Sequence, residues 1–166
     1  MTQPEFVQLI NEHTGLIQKV CRLYAATAQD RQDLFQEIVI QLWRAIPKFR
    51  QESKLTTWMY RVALNTAISS YRKQQRSIDT TDIDFVMADI ADDNKAAEKE
   101  EKLKLLYGAI ARLPEIEKAI VLLYLDDKSY EEMEEILGIN QNNLRVRMNR
   151  VKEKLRQLTK MVEYGT

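Results

Sequence analysis

The chain has 166 residues, and its 25 lysines and arginines are balanced by 25 aspartates and glutamates. Hydrophobic residues make up 45%, enough for globular cores, while four glycines and three prolines leave little room for a β-rich fold. No apolar run approaches the roughly 18 residues that would span a bilayer, and MTQPEFVQL at the start lacks the basic and apolar regions of a secretory signal.

In chain order, Pro4 suits the first turn of a helix. Phe6, Leu9, Ile10, Ile17, Val20 and Tyr24 then continue a helical period to about residue 25. Lone Cys21 sits in this pattern with Ile17 and Val20, as a packing residue would, and its solitude fits a reducing cytoplasm. His13 has no second histidine or nearby cysteine with which to hold a metal. A second helix is expected over about 30–46, with Leu34, Phe35, Ile38, Val39, Leu42 and Ile46 on its buried face and Asp33, Gln36, Glu37, Gln41 and Arg44 opposite. From periodicity alone that polar strip is an ordinary exposed face.

After Pro47, residues 55–76 form a helix apolar over most of its circumference. A strip about 60° wide holds Arg61, Asn65, Arg72 and Arg76, with Trp58 at its edge. Cations beside an aromatic ring suit single-stranded DNA, where phosphates follow the charges and a base can lie on the ring. By its position Trp58 fits a core site equally well. Residues 77–102 then read as an acidic flexible linker with scattered apolar residues, among them Ile83, Phe85, Val86 and Met87. Helical pattern resumes from about Glu98 with Leu103, Leu106, Ile110 and Leu113, and Pro114 opens a further helix through Ile116, Ala119, Ile120, Leu123 and Tyr124.

The most legible stretch is SYEEMEEILGINQNNLRVRMNRVKEKLRQL, from Ser129 to Leu158. Ser129 with Glu132 three residues on is a capping box, Gly138 supplies a left-handed helix end, and Asn140 can cap the next helix. Two helices across so short a turn make a helix-turn-helix. In the second, Leu144, Met148, Val151, Leu155, Leu158 and Val162 fall in one stripe about 80° wide. Opposite lie Asn142, Val146 and Asn149, flanked by Arg145 and Arg150. Amides can pair with adenine, arginines with guanine or phosphate, and a valine methyl can meet that of thymine.

The zero net charge is an average over opposed blocks. Residues 1–76 carry eleven basic and six acidic side chains, 77–102 three and nine, 103–139 four and eight, and 140–166 seven and two. Two basic blocks around an acidic one imply two polyanion-facing surfaces, with a middle that DNA would repel. No Gly-rich phosphate loop, nucleophile elbow or metal-spaced His/Cys set appears, which argues against an enzyme and for no cofactor. The residues alone leave open a helix-turn-helix regulator that binds as a dimer without polymerase, and a helical adaptor with basic faces.

With these motifs in order, the chain resembles the extracytoplasmic-function sigma factors, small transcription initiation factors of the sigma-70 family. The likeness covers about 5–76 and 103–160. It rests on Asp33, Gln36 and Glu37; on Trp58, Arg61, Asn65 and Arg72; on Leu113-Pro114; and on Ser129-Tyr130-Glu131-Glu132. It implies an all-α chain of two small helical domains, 1–76 and 103–166, joined by the acidic linker 77–102. The partners it implies are core RNA polymerase, promoter DNA and an anti-sigma factor. Asp33, Gln36 and Glu37 would dock on the clamp of the β′ subunit. Lys54, Trp58, Arg61, Asn65, Arg72 and Lys73 would bind and open the −10 element, with a flipped base held near loop 49–54. Asn142, Asn143, Arg145, Val146, Arg147, Asn149 and Arg150 would read the −35 duplex, while the preceding helices meet the β flap. Glu134, where the family usually has alanine, would loosen or rotate the two-helix packing. Asn142-Asn143 in place of Gly-Thr, Val146 in place of serine and Ser69 in place of aspartate leave the promoter sequence unspecified.

Overall fold

A computed structural model describes residues 1–77 and 97–164. Segment 78–96, which holds most of the expected linker and all four of its apolar residues named above, lies outside the described residues, as does the side chain of Val162.

All the described regular structure is helical. Helix α1 (Gln3–Glu12) begins with a reciprocal capping box between Thr2 and Glu5, with proline in its first turn. The expected single helix to residue 25 is interrupted at His13, whose backbone leaves helical geometry, and α2 (Thr14–Tyr24) starts afresh. The break is closed locally. The Thr14 hydroxyl donates to the Ile10 carbonyl at 2.9 Å, so a side chain replaces part of the backbone ladder. The apolar period survives the break, with Phe6, Ile10, Ile17 and Val20 all buried.

Helix α3 (Ala28–Ala45) is capped by Thr27, whose side chain accepts from the Asp30 amide. A single 3-10 turn, Ile46–Lys48, ends it at Pro47. Helix α4 (Leu55–Ser77) packs against α2 and α3, burying Met59, Ala63, Leu64 and Ala67 against Ile17, Val20, Ile38 and Leu42.

Helix α5 (Ala97–Ala111) occupies the last residues assigned to the linker. Helices α6 (Glu115–Leu125), α7 (Tyr130–Leu137) and α8 (Gln141–Tyr164) follow. The α6–α7 turn carries Asp127 at φ 57°, with the Lys128 amide donating to the Leu123 carbonyl. This is the left-handed helix end that glycine usually supplies. Ser129 caps α7 by accepting from the Glu132 amide at 3.1 Å, and Gly138 ends it at φ 70°. The Asn140 side chain accepts from the Asn142 amide at 2.8 Å and caps α8. Met133 and Ile136 of α7 meet Leu144, Met148 and Val151 of α8 in a closed core, with the half-exposed Glu134 on α7 outside it.

The two halves also pack together, α6 and α7 lying on α4, and α5 and α6 on α2. Their buried side chains form one connected cluster.

Candidate nucleic-acid interface

On α8 the residues expected to read duplex DNA stand clear of the core. Asn142, Asn143, Arg145, Val146, Asn149 and Arg150 are exposed, and Arg147 is half-buried. Val146 is 49% exposed, although every apolar residue on the opposite stripe up to Val151 is buried. The polar groups are pre-positioned. The Arg145 guanidinium lies 5.1 Å from the Tyr130 ring centroid and donates to the Asn142 side chain at 3.2 Å. Arg147 donates to Asn143 at 3.4 Å. Lys154 braces the helix from behind through an ion pair with Glu117 of α6 at 3.1 Å.

The α4 residues do not stand together in the same way. Lys54, Arg61, Asn65, Arg72 and Lys73 are exposed, but Trp58 is only 8% exposed, with its ring centroid 4.9 Å from that of Phe49. The pair closes loop 49–54, in which Gln51 takes a left-handed conformation at φ 60°. Trp58 therefore sits chiefly in the core, and base stacking on it would require the Phe49 contact to open. Asn65 and Lys73 line an open cleft of about 710 Å³, whose other wall is Asp30, Asp33 and Glu37 of α3.

Three α4-side cations face the C-terminal half. Both Nε and Nη2 of Arg61 donate to the backbone carbonyl of Glu135, Nε at 2.9 Å. Arg72 pairs with the Glu115 carboxylate at 2.9 Å. Lys54 lies 3.9 Å from Glu132. Around them the Tyr24 hydroxyl donates to the Glu115 carbonyl, and the Tyr60 hydroxyl to Asp126 at 2.6 Å. Lys19 reaches the other Asp126 oxygen at 2.9 Å. The Lys118 ammonium lies 4.5 Å from the Tyr71 ring centroid and 5.7 Å from that of Tyr24, a cation–π arrangement worth more when desolvated.

Ionisation follows this geometry. The hydrogen bond from Arg72 holds the Glu115 carboxyl below its ordinary range. Burial pushes the Asp126 carboxyl up, but the bonds from Tyr60 and Lys19 outweigh it and the net shift is downward. Burial lowers Lys118 to about 8 against the opposing pull of Glu115. Tyr24 is pushed up by burial, then by Glu115 and Tyr71. Burial lifts the Cys21 thiol to about 12, the mark of a packing residue.

The α3 strip is exposed at Asp33, Gln36 and Glu37, and the carboxylates are fixed by neighbouring amides. Gln29 donates to Asp33 and Gln41 to Glu37, each at 3.0 Å. Two residues of this surface escaped the reading of the polar strip. Ile40 and Trp43 are each 43% exposed, and Trp43 is supported edge-on by Phe6 at 4.9 Å between ring centroids. At 100° per residue Ile40 lies about 20° from Asp33, so an apolar side chain in mid-strip was the available signal.

Among the described residues no helix is long and apolar enough to cross a membrane, and no cluster of histidine, cysteine and acidic side chains could hold a metal.

Comparison with known proteins bears on the whole chain. Residues 9–77 match the sigma-70 region 2 family and residues 103–155 the sigma-70 region 4 family. The chain is 33% identical over 135 residues to the ECF RNA polymerase sigma-E factor of Escherichia coli K12, covering 75% of this chain and 71% of that protein. It is 29% identical over 163 residues to the RNA polymerase sigma factor SigV of Bacillus subtilis 168, covering 96% and 94%. Among solved structures, it is similar to the sigma factor RpoE of Bartonella quintana in complex with the anti-sigma factor NepR (TM-score 0.73, 21% identity, 94% and 97% coverage). It is also similar to CnrH in complex with the cytosolic domain of CnrY (TM-score 0.69, 18% identity, 99% and 92% coverage). At those identities the structural likeness speaks for the fold. The helix-turn-helix and these matches agree, and the chain belongs to the ECF sigma factors of the sigma-70 family, which direct promoter-specific initiation by RNA polymerase.

Proposed function

We propose that this chain divides promoter recognition between its two ends: 1–76 binds core polymerase and opens the −10 element, 103–166 reads the −35 duplex, and the acidic segment 77–102 connects them. The observation that carries the reading is the α8 face, where Asn142, Arg145, Val146, Asn149 and Arg150 project from a helix whose opposite side is locked in the core. Side chains of these types reach base edges in a major groove, and the surrounding arginines meet phosphates. Asn143 and Arg147 complete that surface.

The α3 strip of Asp33, Gln36 and Glu37, extended by Ile40 and Trp43, docks on the β′ clamp as an acidic surface with apolar centres. The C-terminal helices meet the β flap. On α4, Arg61, Arg72, Lys54 and Lys73 follow the backbone of the opened strand and Asn65 contacts it, while Trp58 acts through Phe49 by shaping loop 49–54. No covalent chemistry is performed. Capturing unstacked bases offsets the few kcal/mol that unstacking costs. The chain works in the cytoplasm, and an anti-sigma factor restrains it, as the NepR complex of the Bartonella relative supports.

Run-off transcription on fragments of the source genome, with purified core polymerase and with or without this chain, tests the reading. Discrete starts that appear only with the chain are expected. Neither starts nor binding to core polymerase would refute it.

A further inference from the structure

Where α2 meets α5 and α6, the two halves of the chain leave a small, partly open cavity of about 130 Å³. Its apolar wall is Leu23 of α2, Tyr107 and Ile110 of α5, and Leu122 and Leu125 of α6. Leu23, Ile110 and Leu122 are buried, while Leu125 is 52% exposed and borders the opening. An apolar cavity of about 150 Å³ admits benzene. This one has room for a single ring or branched chain, and too little for a helix.

The polar groups that line it are not equivalent. Lys19 and Asp126 satisfy one another at 2.9 Å, and the second Asp126 oxygen takes the Tyr60 hydroxyl at 2.6 Å. Arg22, exposed in the last turn of α2, has no side-chain hydrogen bond or ion pair among the described residues. Lys19 and Asp126 cancel, so the charge left bordering the cavity is the positive charge of Arg22. A planar guanidinium is matched best by a carboxylate, which it holds through two parallel hydrogen bonds. Apolar walls with one such polar anchor, at a seam between two packed units, are the usual make-up of a small-molecule site.

From this we infer that the cavity binds a small monocarboxylate with an aromatic or branched apolar body, its ring or chain on Leu23, Ile110 and Leu122 and its carboxylate on Arg22. The walls come from both halves, so the ligand binds only the packed chain and stabilises that packing by mass action. None of these side chains is assigned to DNA. The seam is a place where a small acid acts on the chain at a distance from its duplex-reading face.

The probe is para-fluorophenylacetate, followed by fluorine NMR line broadening on the full chain, with para-fluorophenylacetamide as its uncharged twin. About ten heavy atoms at ordinary ligand efficiency give a Kd of about 1 mM. The acid is expected to bind saturably and about tenfold more tightly than the amide. Arg22→Gln, at an exposed position, should bring the two probes within about twofold of each other. Leu125→Asn should weaken both probes alike, by about threefold or more. At about ten times its Kd the acid should raise the melting midpoint of the wild-type chain by about 3–5 °C relative to equimolar acetate.

No saturable broadening up to about 10 mM acid would overturn the inference. An acid preference that survives in Arg22→Gln, or full affinity in Leu125→Asn, would put the binding elsewhere and overturn it equally. Binding that depends on Arg22 without any rise in the melting midpoint would overturn the link between ligand and packing.

Discussion

Helices α4 and α8 invite comparison: 23 and 24 residues long, each is basic along one side and buried along the other. Yet α8 holds its arginines among its own neighbours, on Tyr130, Asn142 and Asn143, and turns them to solvent. The arginines of α4 are held by residues 43 and 74 positions away, on helices of opposite charge. A net positive charge along both helices thus fixes neither availability nor partner. What separates them is whether the chain itself supplies the counter-surface.

Breaking the α4 side should produce the largest effect. Trp58→Ala removes a ring that is 8% exposed and packed on Phe49, so it should cost about 3–5 kcal/mol of stability in denaturant unfolding. A loss of promoter opening with unchanged stability would restore Trp58 to direct base stacking. On the α8 side, Arg150→Ala should weaken −35 duplex binding by about 1–3 kcal/mol while core binding is kept. Equal loss of both would refute the placement of that helix on DNA.

The packing of the C-terminal half on the N-terminal half should respond to pH in two directions. Lys118 titrates near 8 when closed and near its ordinary 10.5 when exposed, so the open state binds the extra proton between those values and closure strengthens as pH rises. Its facing groups are Glu115, Tyr24, Tyr71 and Arg72. The buried tyrosines are raised above 10, so they favour closure below about pH 10 and withdraw that support as the open state ionises. Energy transfer between labels on the two halves should therefore rise above pH 8, with a slope of at most about tenfold in population per pH unit, and fall beyond 10. A flat profile from 8 to 10 would remove Lys118 from the contact. The smallest effect belongs to Lys54→Ala. Its side chain is 76% exposed and 3.9 Å from Glu132, so closure should change by less than about 1 kcal/mol. A larger loss would mean that this pair, rather than Arg61 and Arg72, anchors the contact.

Local structure was legible in the sequence because its causes are local. Ser129, Gly138 and Asn140 act within four residues of themselves, and the α8 stripe follows from 3.6-residue periodicity. The break at His13 was hidden because α1 and α2 keep one apolar phase across it, and the Thr14 hydroxyl bond that accompanies it leaves no mark in a hydrophobic pattern. Trp58 stood at the edge of its helical strip, and its partner Phe49 lies outside the helix, so no wheel could show them meeting. The same limit applies to Arg61 with Glu135 and Tyr24 with Glu115. Pairing between separate helices leaves no period in either.

The chain order of the two charged surfaces has a consequence for synthesis. The helix bearing Arg61 and Arg72 ends at Ser77, whereas their acceptors lie at Glu115 and Glu135. At roughly 5–20 residues per second on the ribosome, the last acceptor is made about 3–12 s after that helix. In that interval the nascent N-terminal half can close its own core from α2, α3 and α4, before the oxygens that hold Arg72 and Arg61 have been made. The acceptors arrive after the cations that they hold.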